Sequence, residues 1–189
     1  MDELYVSQEF CREGKQLVTD IRDAEAILNC IGILICPELH SIGTTAIDKL
    51  IQSEDLLHTW HKNVTLWPSF FSGIEFISNR KTPSHRDGRA AASTYDFLVS
   101  AGRHTEACLD LPDIDTQLSY DPGTVVAICG RVLRHRVEEW KGERLCVAHF
   151  IRDAVHNRLG LPRADWVKNG PYLAMMDKAF LARQHWVVD

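Results

Sequence analysis

Two histidines and one aspartate have the residue types and the spacing of a metal site. His85 and Asp87 are two positions apart, so in an extended strand their side chains point to the same face. His135 lies much further along the chain and belongs to a different strand. Two imidazoles and one carboxylate are the ligand set of non-haem Fe(II) oxygenases, which keep some coordination positions open. The three residues therefore predict an Fe(II) site of this kind.

An arginine follows these ligands at the start of an apolar, strand-like run. Arg144 opens the run RLCVAHFI, soon after His135. A guanidinium can bind a carboxylate through two parallel hydrogen bonds. The open positions of an Fe(II) site accept 2-oxoglutarate and O2, so we predict that Arg144 holds the far carboxylate of the oxoacid. Tyr95 has two interpretations, as a second contact of the oxoacid or as a core aromatic.

The His-x-Asp pair alone is weak evidence, because the chain has nine histidines and many acidic residues. A surface histidine beside an aspartate in a turn explains a bare match equally well. The order of the surrounding segments is more specific. The pair is followed by an Asp-Pro-Gly turn at 121–123, a strand-like run, His135 and then Arg144.

Basic residues surround both metal-binding segments. They are Arg80, Lys81, Arg86, Arg89, Arg131, Arg134 and Arg136. If the strands bring them together, they form a cationic rim that contacts the phosphates of a nucleic acid. Alternatively, they pair with Glu138, Glu139, Glu143 and the loop aspartates. The sequence leaves both interpretations open.

The composition is typical of one globular domain. The chain has 189 residues, of which 45% are hydrophobic and 25% are charged. Its net charge of −5 gives no global sign of nucleic-acid binding. The six cysteines are scattered without a C-x-x-C pair, and the acidic N-terminus lacks an apolar block. We predict a monomer in the nucleus or cytoplasm that is not secreted and does not contact a membrane.

Hydrophobic periodicity predicts helices first and strands afterwards. A helical stripe contains Phe10, Leu17, Ile21, Ala24 and Leu28. A second helix is predicted to begin at Pro37, with Leu39, Ile42, Ala46 and Leu50 on its buried face. Short strands separated by turns follow, and one hairpin is predicted to close at residues 140–143. A last helix is predicted from Pro171.

These elements predict an α+β fold, a double-stranded β-helix (jelly roll) with N-terminal helices packed on it. Residues 1–63 form the helical support. Residues 64–160 form the core, and residues 161–189 form a C-terminal loop and helix of the same domain.

Several motifs occur in an order typical of a known family. They are GIEFISNRKTPSHRD, YDFLVSAG, LDLP, YDPGTVVAICGRVLRH and GERLCVAHFIRDAVHNRLG, between residues 73 and 160. Together they resemble the fungal TET/JBP-like oxygenases, the basidiomycete branch that expanded alongside transposons.

The resemblance implies a jelly-roll dioxygenase that uses Fe(II) and 2-oxoglutarate and acts on DNA with a methylated base. The branch is associated with 5-methylcytosine and with N6-methyladenine. The resemblance again assigns His85, Asp87 and His135 to the metal and Arg144 to the oxoacid, and it adds Arg80 as a pocket arginine. It also implies that Arg152 and Asp153 contact the base.

Two other functions compete with DNA oxidation. The spacing from His135 to Arg144 also suits a 2-oxoglutarate-dependent protein hydroxylase of the prolyl type, which needs no phosphate contacts. A non-catalytic DNA-binding relic of the fold is the third possibility. The intact set of His85, Asp87, His135 and Arg144 argues against it, because a decaying site loses such residues early.

Overall fold

Two antiparallel sheets of four strands each form the centre of the molecule. The computed structural model describes residues 16–53 and 65–168. The strands of the second range are β1 Gly73–Ser78, β2 Thr82–His85, β3 Asp96–Thr105, β4 Cys108–Leu111, β5 Thr116–Ser119, β6 Val125–Ile128, β7 His135–Val137 and β8 Lys141–Phe150. The first sheet has the order β1-β8-β3-β6, and the second has the order β2-β7-β4-β5. The jelly roll predicted from the sequence is confirmed.

Side-chain alternation along β3 separates two hydrophobic cores. Leu98 points between the sheets, where it packs in one cluster with Leu109 of β4 and Val137 of β7. Phe97 points to the opposite face of the same sheet and packs in a second cluster with Leu28 from the N-terminal helices. The first core therefore joins the two sheets, and the second core joins the first sheet to the helices.

Two helices cover the outer face of the first sheet. Helix α1 spans Arg22–Ile35, and helix α2 spans Pro37–Gln52. Pro37 lies in the first turn of α2, as predicted. On the predicted face of α2, Leu39 and Ala46 are buried, and Ile42 and Leu50 are half-buried. Residues 16–20, before α1, are also helical.

A close approach between α2 and the chain before β1 fixes the helices on the sheet. The ring of Phe70 packs against Phe71, and Phe71 packs against Phe97 of β3. A Cβ atom at Gly43 of α2 would lie 2.4 Å from the carbonyl oxygen of Phe70. Only glycine permits this approach of helix to backbone.

The buried stripe of α1 and of the helical turn before it differs in part from the prediction. Leu28 is buried as predicted, but Leu17 and Ala24 are exposed, and Val18 and Glu25 are buried next to them. The apolar periodicity pointed to a neighbouring stripe because a carboxylate occupies one of the core positions. A charged residue at such a position carries no hydrophobic signal.

Glu25 is buried because it has a partner in the last strand. Its Oε1 lies 2.6 Å from Nε2 of His149 in β8, and both side chains are almost fully buried. The His149 ring also packs against Phe71. One buried polar contact therefore links α1 directly to the jelly roll.

The predicted hairpin at residues 140–143 is wrong. Strand β7 pairs with β2 and β4 in the second sheet, whereas β8 pairs with β1 and β3 in the first sheet. The chain therefore crosses between sheets at this point, and β8 begins at Lys141 without folding back on β7.

The turn at 121–123 is confirmed. Thr124 donates its N–H to the Asp121 carbonyl oxygen at 3.1 Å, and Gly123 has the positive φ of 92° that favours glycine. A short helix, α3 at Asp153–Arg158, follows β8. Phe10 of the first stripe and the helix predicted from Pro171 lie outside the described residues. Within the described ranges, no helix combines the length and the apolar character that crossing a bilayer requires.

Candidate metal centre

Pairing of β2 with β7 brings the two histidines together. His85, the last residue of β2, lies opposite His135, the first residue of β7. Their rings are 4.3 Å apart between centroids. Cross-strand partners in an antiparallel pair are close neighbours on one face of the sheet. The register of two short strands therefore places both imidazoles at one point.

Asp87 reaches the same point from a loop. The sequence predicted one strand through His85 and Asp87, but β2 ends at His85. The Asp87 N–H donates to the carbonyl oxygen of Gly130 at 2.9 Å, which fixes the loop against the segment between β6 and β7. A Cβ atom at Gly130 would lie 2.2 Å from Oδ2 of Asp87 and 2.7 Å from Oδ2 of Asp96, so any larger residue there would displace these carboxylates.

The three side chains present their donor atoms to one another. Nε2 of His85 lies 3.5 Å from Oδ1 of Asp87, and Nε2 of His135 lies 3.6 Å from Oδ2. One ligand atom from each residue falls within 4.8 Å of the others. In the described part of the chain, this is the one group of three or more histidine, cysteine or acidic residues with such geometry.

Backbone carbonyls fix the orientation of both imidazoles. Nδ1 of His85 lies 2.9 Å from the Pro83 carbonyl oxygen, and Nδ1 of His135 lies 3.1 Å from the Leu133 carbonyl oxygen. A carbonyl oxygen only accepts, so each Nδ1 carries the proton and each Nε2 lone pair is available. Burial lowers the pKa of His135, which favours the neutral form that binds metals.

Arg144 lies in β8 and is held by its backbone and its neighbours. Its N–H donates to Oδ1 of Asn79 at 2.8 Å, and its carbonyl oxygen accepts from the Asn79 N–H at 2.8 Å. The guanidinium carbon lies 5.3 Å from the ring centroids of both Tyr120 and Trp140. Nε and Nη1 are buried, and neither has a hydrogen-bond partner among the described residues. A buried guanidinium with unsatisfied donors indicates an anionic ligand.

The metal-ligand group and Arg144 share one cavity. Its volume is about 350 Å³, and it lies between the two sheets. Apolar walls come from Leu98, Leu109 and Val137. A cavity of this size, in which apolar walls meet a group of converging charged and imidazole side chains, has the character of a small-molecule site.

The sequence matches a known family over most of its length. The model for the Tet/JBP oxygenase domain of the 2OGFeDO superfamily matches residues 11–153. The chain belongs to the Tet/JBP family. Its superfamily comprises dioxygenases that depend on 2-oxoglutarate and Fe(II), which confirms the predicted class of enzyme and implies both cofactors. None of the curated proteins matches the chain.

A solved structure confirms the fold of this Tet/JBP domain. The chain is similar to NgTET1, solved in complex with 5mC DNA, with a TM-score of 0.59 and 18% identity. The similarity covers 91% of this chain and 63% of the NgTET1 chain. This Tet/JBP domain therefore has the jelly roll of NgTET1 and spans less than two thirds of its length.

The residues of this Tet/JBP domain fit the cofactors of its superfamily. His85, Asp87 and His135 offer two nitrogens and one oxygen to a single ion, which is the ligand set of a non-haem Fe(II) centre. Arg144 offers unsatisfied donors to an oxoacid in the same cavity. The fit therefore rests on the metal-ligand set and on the buried Arg144 guanidinium, whose Nε and Nη1 lack hydrogen-bond partners among the described residues.

Tyr95 is not brought to the cavity. It precedes β3 and packs in the core between the first sheet and the helices, where burial, followed by the neighbouring Cys129 thiol, raises its pKa. The side chains at 95, 97 and 99 all turn away from the space between the sheets. The prediction of Tyr95 as an oxoacid contact is therefore corrected in favour of the core interpretation.

Asp96 is a cavity residue that the sequence analysis missed. It is the first residue of β3, it is almost fully buried, and neither carboxylate oxygen has a hydrogen-bond partner among the described residues. Burial and the nearby charge of Asp87 raise its pKa to about 8. Its signal in the sequence is an acidic residue on the inward-facing side of an apolar strand.

Three of the seven residues of the predicted cationic rim pair closely with acidic residues. Asp113 accepts from Arg86 at 2.9 Å and from Arg134 at 2.8 Å. Arg136 donates to Asp110 at 2.5 Å and to Glu138 at 2.9 Å. For these three arginines the ion-pair interpretation holds. Arg131 donates to the carbonyl oxygen of Gly88.

Four other basic residues have no close acidic partner among the described residues, and three of them line the cavity. Arg80 is 61% exposed, and its side chain only approaches Glu75 at 4.0 Å. Lys81 and Arg89 have no ion-pair partner within the residues that the structure describes. Arg152 lies over the ring of Phe150 at 5.0 Å. Arg80, Arg89 and Arg152 line the cavity, and so does Arg136, which is already paired.

Asp153 does not line the cavity. Both of its carboxylate oxygens accept from Arg163, at 2.7 and 2.5 Å, and this partner lowers its pKa. Asp153 therefore stabilises the chain after β8 and is engaged away from the site. The structure separates it from Arg152, although the two residues are adjacent in the sequence.

Proposed function

We propose that this chain is a DNA dioxygenase that oxidises the methyl group of a methylated base, 5-methylcytosine or N6-methyladenine. His85, Asp87 and His135 hold Fe(II), and Arg144 holds the far carboxylate of 2-oxoglutarate. When bound, these cofactors supply the oxidation of a C–H bond by O2 with decarboxylation of the oxoacid. The chain's own residues fix the cofactors and orient the substrate.

The proposed oxoacid site rests on one observation, that the buried guanidinium of Arg144 has nitrogens without hydrogen-bond partners. A guanidinium with two buried and unsatisfied nitrogens is costly unless an anion reaches it. Tyr120 and Trp140 restrict its orientation from two sides. A planar carboxylate satisfies such a group with two parallel hydrogen bonds.

Two observations support DNA as the substrate. Arg80, Arg89 and Arg152 line the cavity, although the chain as a whole is acidic. Phosphates of a nucleic acid are suitable partners for cations in this position. NgTET1, which shares the fold, was solved with 5mC DNA. A base stacked in a duplex cannot enter a cavity between two sheets, so the proposed reaction requires the base to be flipped out.

The decisive experiment is mass spectrometry of methylated oligonucleotides incubated with the protein, Fe(II) and 2-oxoglutarate. We expect hydroxylated methylcytosine or, for methyladenine, loss of the methyl group as formaldehyde. The His135→Ala variant is the control, because it removes one ligand and should abolish the product.

Other outcomes would favour the competing functions. Hydroxylation of a peptide with negligible DNA affinity at low salt would replace the proposal with a protein hydroxylase. A folded protein that binds DNA but consumes no 2-oxoglutarate would indicate the non-catalytic relic.

If DNA is the substrate, the nucleus is the expected compartment.

A further inference from the structure

One carboxylate outside the cavity connects the two segments that carry the metal ligands. Asp113 lies in the short 3-10 helix Pro112–Ile114, after β4. Its Oδ2 accepts from the Arg134 N–H at 2.7 Å and from Nη2 of Arg86 at 2.9 Å. Its Oδ1 accepts from Nε of Arg134 at 2.8 Å. One side chain therefore binds two arginines and one backbone amide.

Both arginines are immediate neighbours of metal ligands. Arg86 stands between His85 and Asp87, and Arg134 directly precedes His135. Consecutive side chains in extended chain point to opposite sides, so the ligands face the cavity while the arginines face Asp113. Arg86 adds a further link, since its Nε donates to the Val132 carbonyl oxygen at 2.8 Å.

Apart from the pairing of β7 with β4 and the hydrogen bond from the Asp87 N–H to Gly130, the backbone gives these segments limited support. The register of β2 with β7 contains only two partner pairs, with a shift between them. Asp87 lies beyond the end of β2, and β7 is three residues long. A metal site requires donor atoms placed within a few tenths of an ångström. Contacts in addition to the sheet must hold the ligands at this precision.

We propose that Asp113 is a positioning residue for the metal centre, which holds the His85–Asp87 segment and His135 at their mutual distance through Arg86 and Arg134. The inference rests on the proposed metal function of the three ligands. The side chain of Asp113 is only 18% exposed, whereas those of Arg86 and Arg134 are about half exposed. We therefore expect the Asp113 carboxylate to be the least mobile of the three side chains and to hold both arginines in place.

The chain contains a matched control for this inference. Asp110 lies in β4, is 16% exposed, and pairs with Arg136 at 2.5 Å. Arg136 follows His135 directly, so the two ion pairs lie on either side of the same ligand. The difference is that Asp110 does not contact the His85–Asp87 segment. A role limited to general stability predicts the same result for Asp110→Ala and Asp113→Ala.

The test measures metal affinity and stability separately. Co(II) binding to the metal-free protein is followed by calorimetry and visible absorption without oxygen or 2-oxoglutarate, and stability is followed by urea unfolding. We expect Asp113→Ala to weaken Co(II) binding roughly 10- to 100-fold, as for other residues that orient ligands. Asp110→Ala should bind Co(II) like the wild type, with a similar change in unfolding midpoint.

Two milder variants keep the test decisive if Asp113→Ala does not fold. Asp113→Asn keeps one acceptor oxygen for the Arg134 N–H and should give an intermediate affinity. Arg86→Ala removes only the link to the first segment and should also weaken binding. Affinities equal to that of Asp110→Ala in all three variants would overturn the inference.

The underlying metal assignment has its own readout. His135→Ala should abolish the Co(II) absorption of the wild type. If the wild type does not bind Co(II), or if His135→Ala binds it equally well, the proposed metal centre fails and the role of Asp113 fails with it. A wild type that binds Co(II) at this site, with Asp113 variants that match it, overturns the positioning role alone.

Discussion

The guanidinium of Arg144 gives the sharpest residue-level prediction. Arg144→Ala removes the proposed partner of the far carboxylate of 2-oxoglutarate. Loss of a buried charged hydrogen bond costs on the order of 2–5 kcal/mol, so the KM for 2-oxoglutarate should rise steeply. The measurement is initial rate against 2-oxoglutarate concentration at saturating Fe(II) and DNA.

Arg80→Ala is the comparison for this prediction. Arg80 is largely exposed, and water solvates its charge, so its loss should raise the same KM much less. An unchanged KM in Arg144→Ala, together with a raised KM in Arg80→Ala or Arg131→Ala, would move the oxoacid site to one of those arginines.

Asp96 predicts how the stability of the metal-free protein depends on pH. Its folded-state pKa is about 8 because of burial and of the Asp87 charge, whereas its ordinary value is 3.8. Between these two values the folded protein binds more protons than the unfolded chain. The contribution of Asp96 to the free energy of unfolding is on the order of a few kcal/mol. It is fully present below about pH 4 and is lost as pH rises towards 8.

Asp96→Asn isolates this contribution, because an amide does not titrate. Urea unfolding midpoints of the wild type and of Asp96→Asn are measured with a chelator at several pH values between 5 and 8.5. The prediction concerns the difference between the two midpoints at each pH. The wild type should lose stability relative to Asp96→Asn as pH rises. Parallel curves would show that the Asp96 carboxyl is already ionised across this range.

Residue types and spacing predicted that the three metal-ligand side chains meet. They predicted less well which backbone elements bring them together. His85 and His135 meet through strand pairing, as expected from their assignment to two different strands. Asp87 meets them from a loop that Gly130 makes possible, and the sequence showed only the spacing of His85 and Asp87. Asp113 was not recognisable, because its role depends on two arginines that are distant in the sequence.

At the scale of elements, alternation and turn residues predicted the jelly roll. The Asp-Pro-Gly turn formed because its residue types determine the local backbone. The predicted hairpin at 140–143 was wrong because a turn signal does not tell which sheet the next strand joins. Strand β8 finds its partners in β1 and β3, which are remote in the sequence.

The buried contact between Glu25 of α1 and His149 of β8 predicts how strongly the helix stabilises the jelly roll. Glu25→Ala leaves His149 buried without its partner, which typically costs about 3–5 kcal/mol. Glu25→Gln keeps a hydrogen-bonding group and should cost less. Urea or thermal unfolding measures both.

Asp23→Ala is the matched control for Glu25. Asp23 lies in the same first turn of α1 and is exposed, so its loss should change stability by about 0.5 kcal/mol or less. Equal effects of Asp23→Ala and Glu25→Ala would show that the buried contact does not fasten the helix to the jelly roll.

At the scale of the whole molecule, the charge distribution explains how an acidic chain presents cations around one cavity. The net charge is −5, yet Arg80, Arg89 and Arg152 line one cavity. The sequence could not separate these from Arg86, Arg134 and Arg136, because the acids that pair with the latter group come mainly from the β4 region. Only the folded structure sorts the basic residues into those that are paired and those that are available.

This sorting predicts the salt dependence of DNA binding. Each cation that contacts a phosphate adds close to one unit to the slope of log affinity against log salt concentration. Arg89→Ala should therefore flatten that slope by about one unit and weaken binding to methylated and unmethylated duplexes alike. Arg136→Ala should leave the slope unchanged, because Asp110 and Glu138 already occupy its guanidinium. Salt-titrated binding to both duplexes measures the two variants side by side. If Arg136→Ala flattens the slope while Arg89→Ala does not, Arg136 exchanges its acidic partners for a phosphate and Arg89 does not contact the DNA.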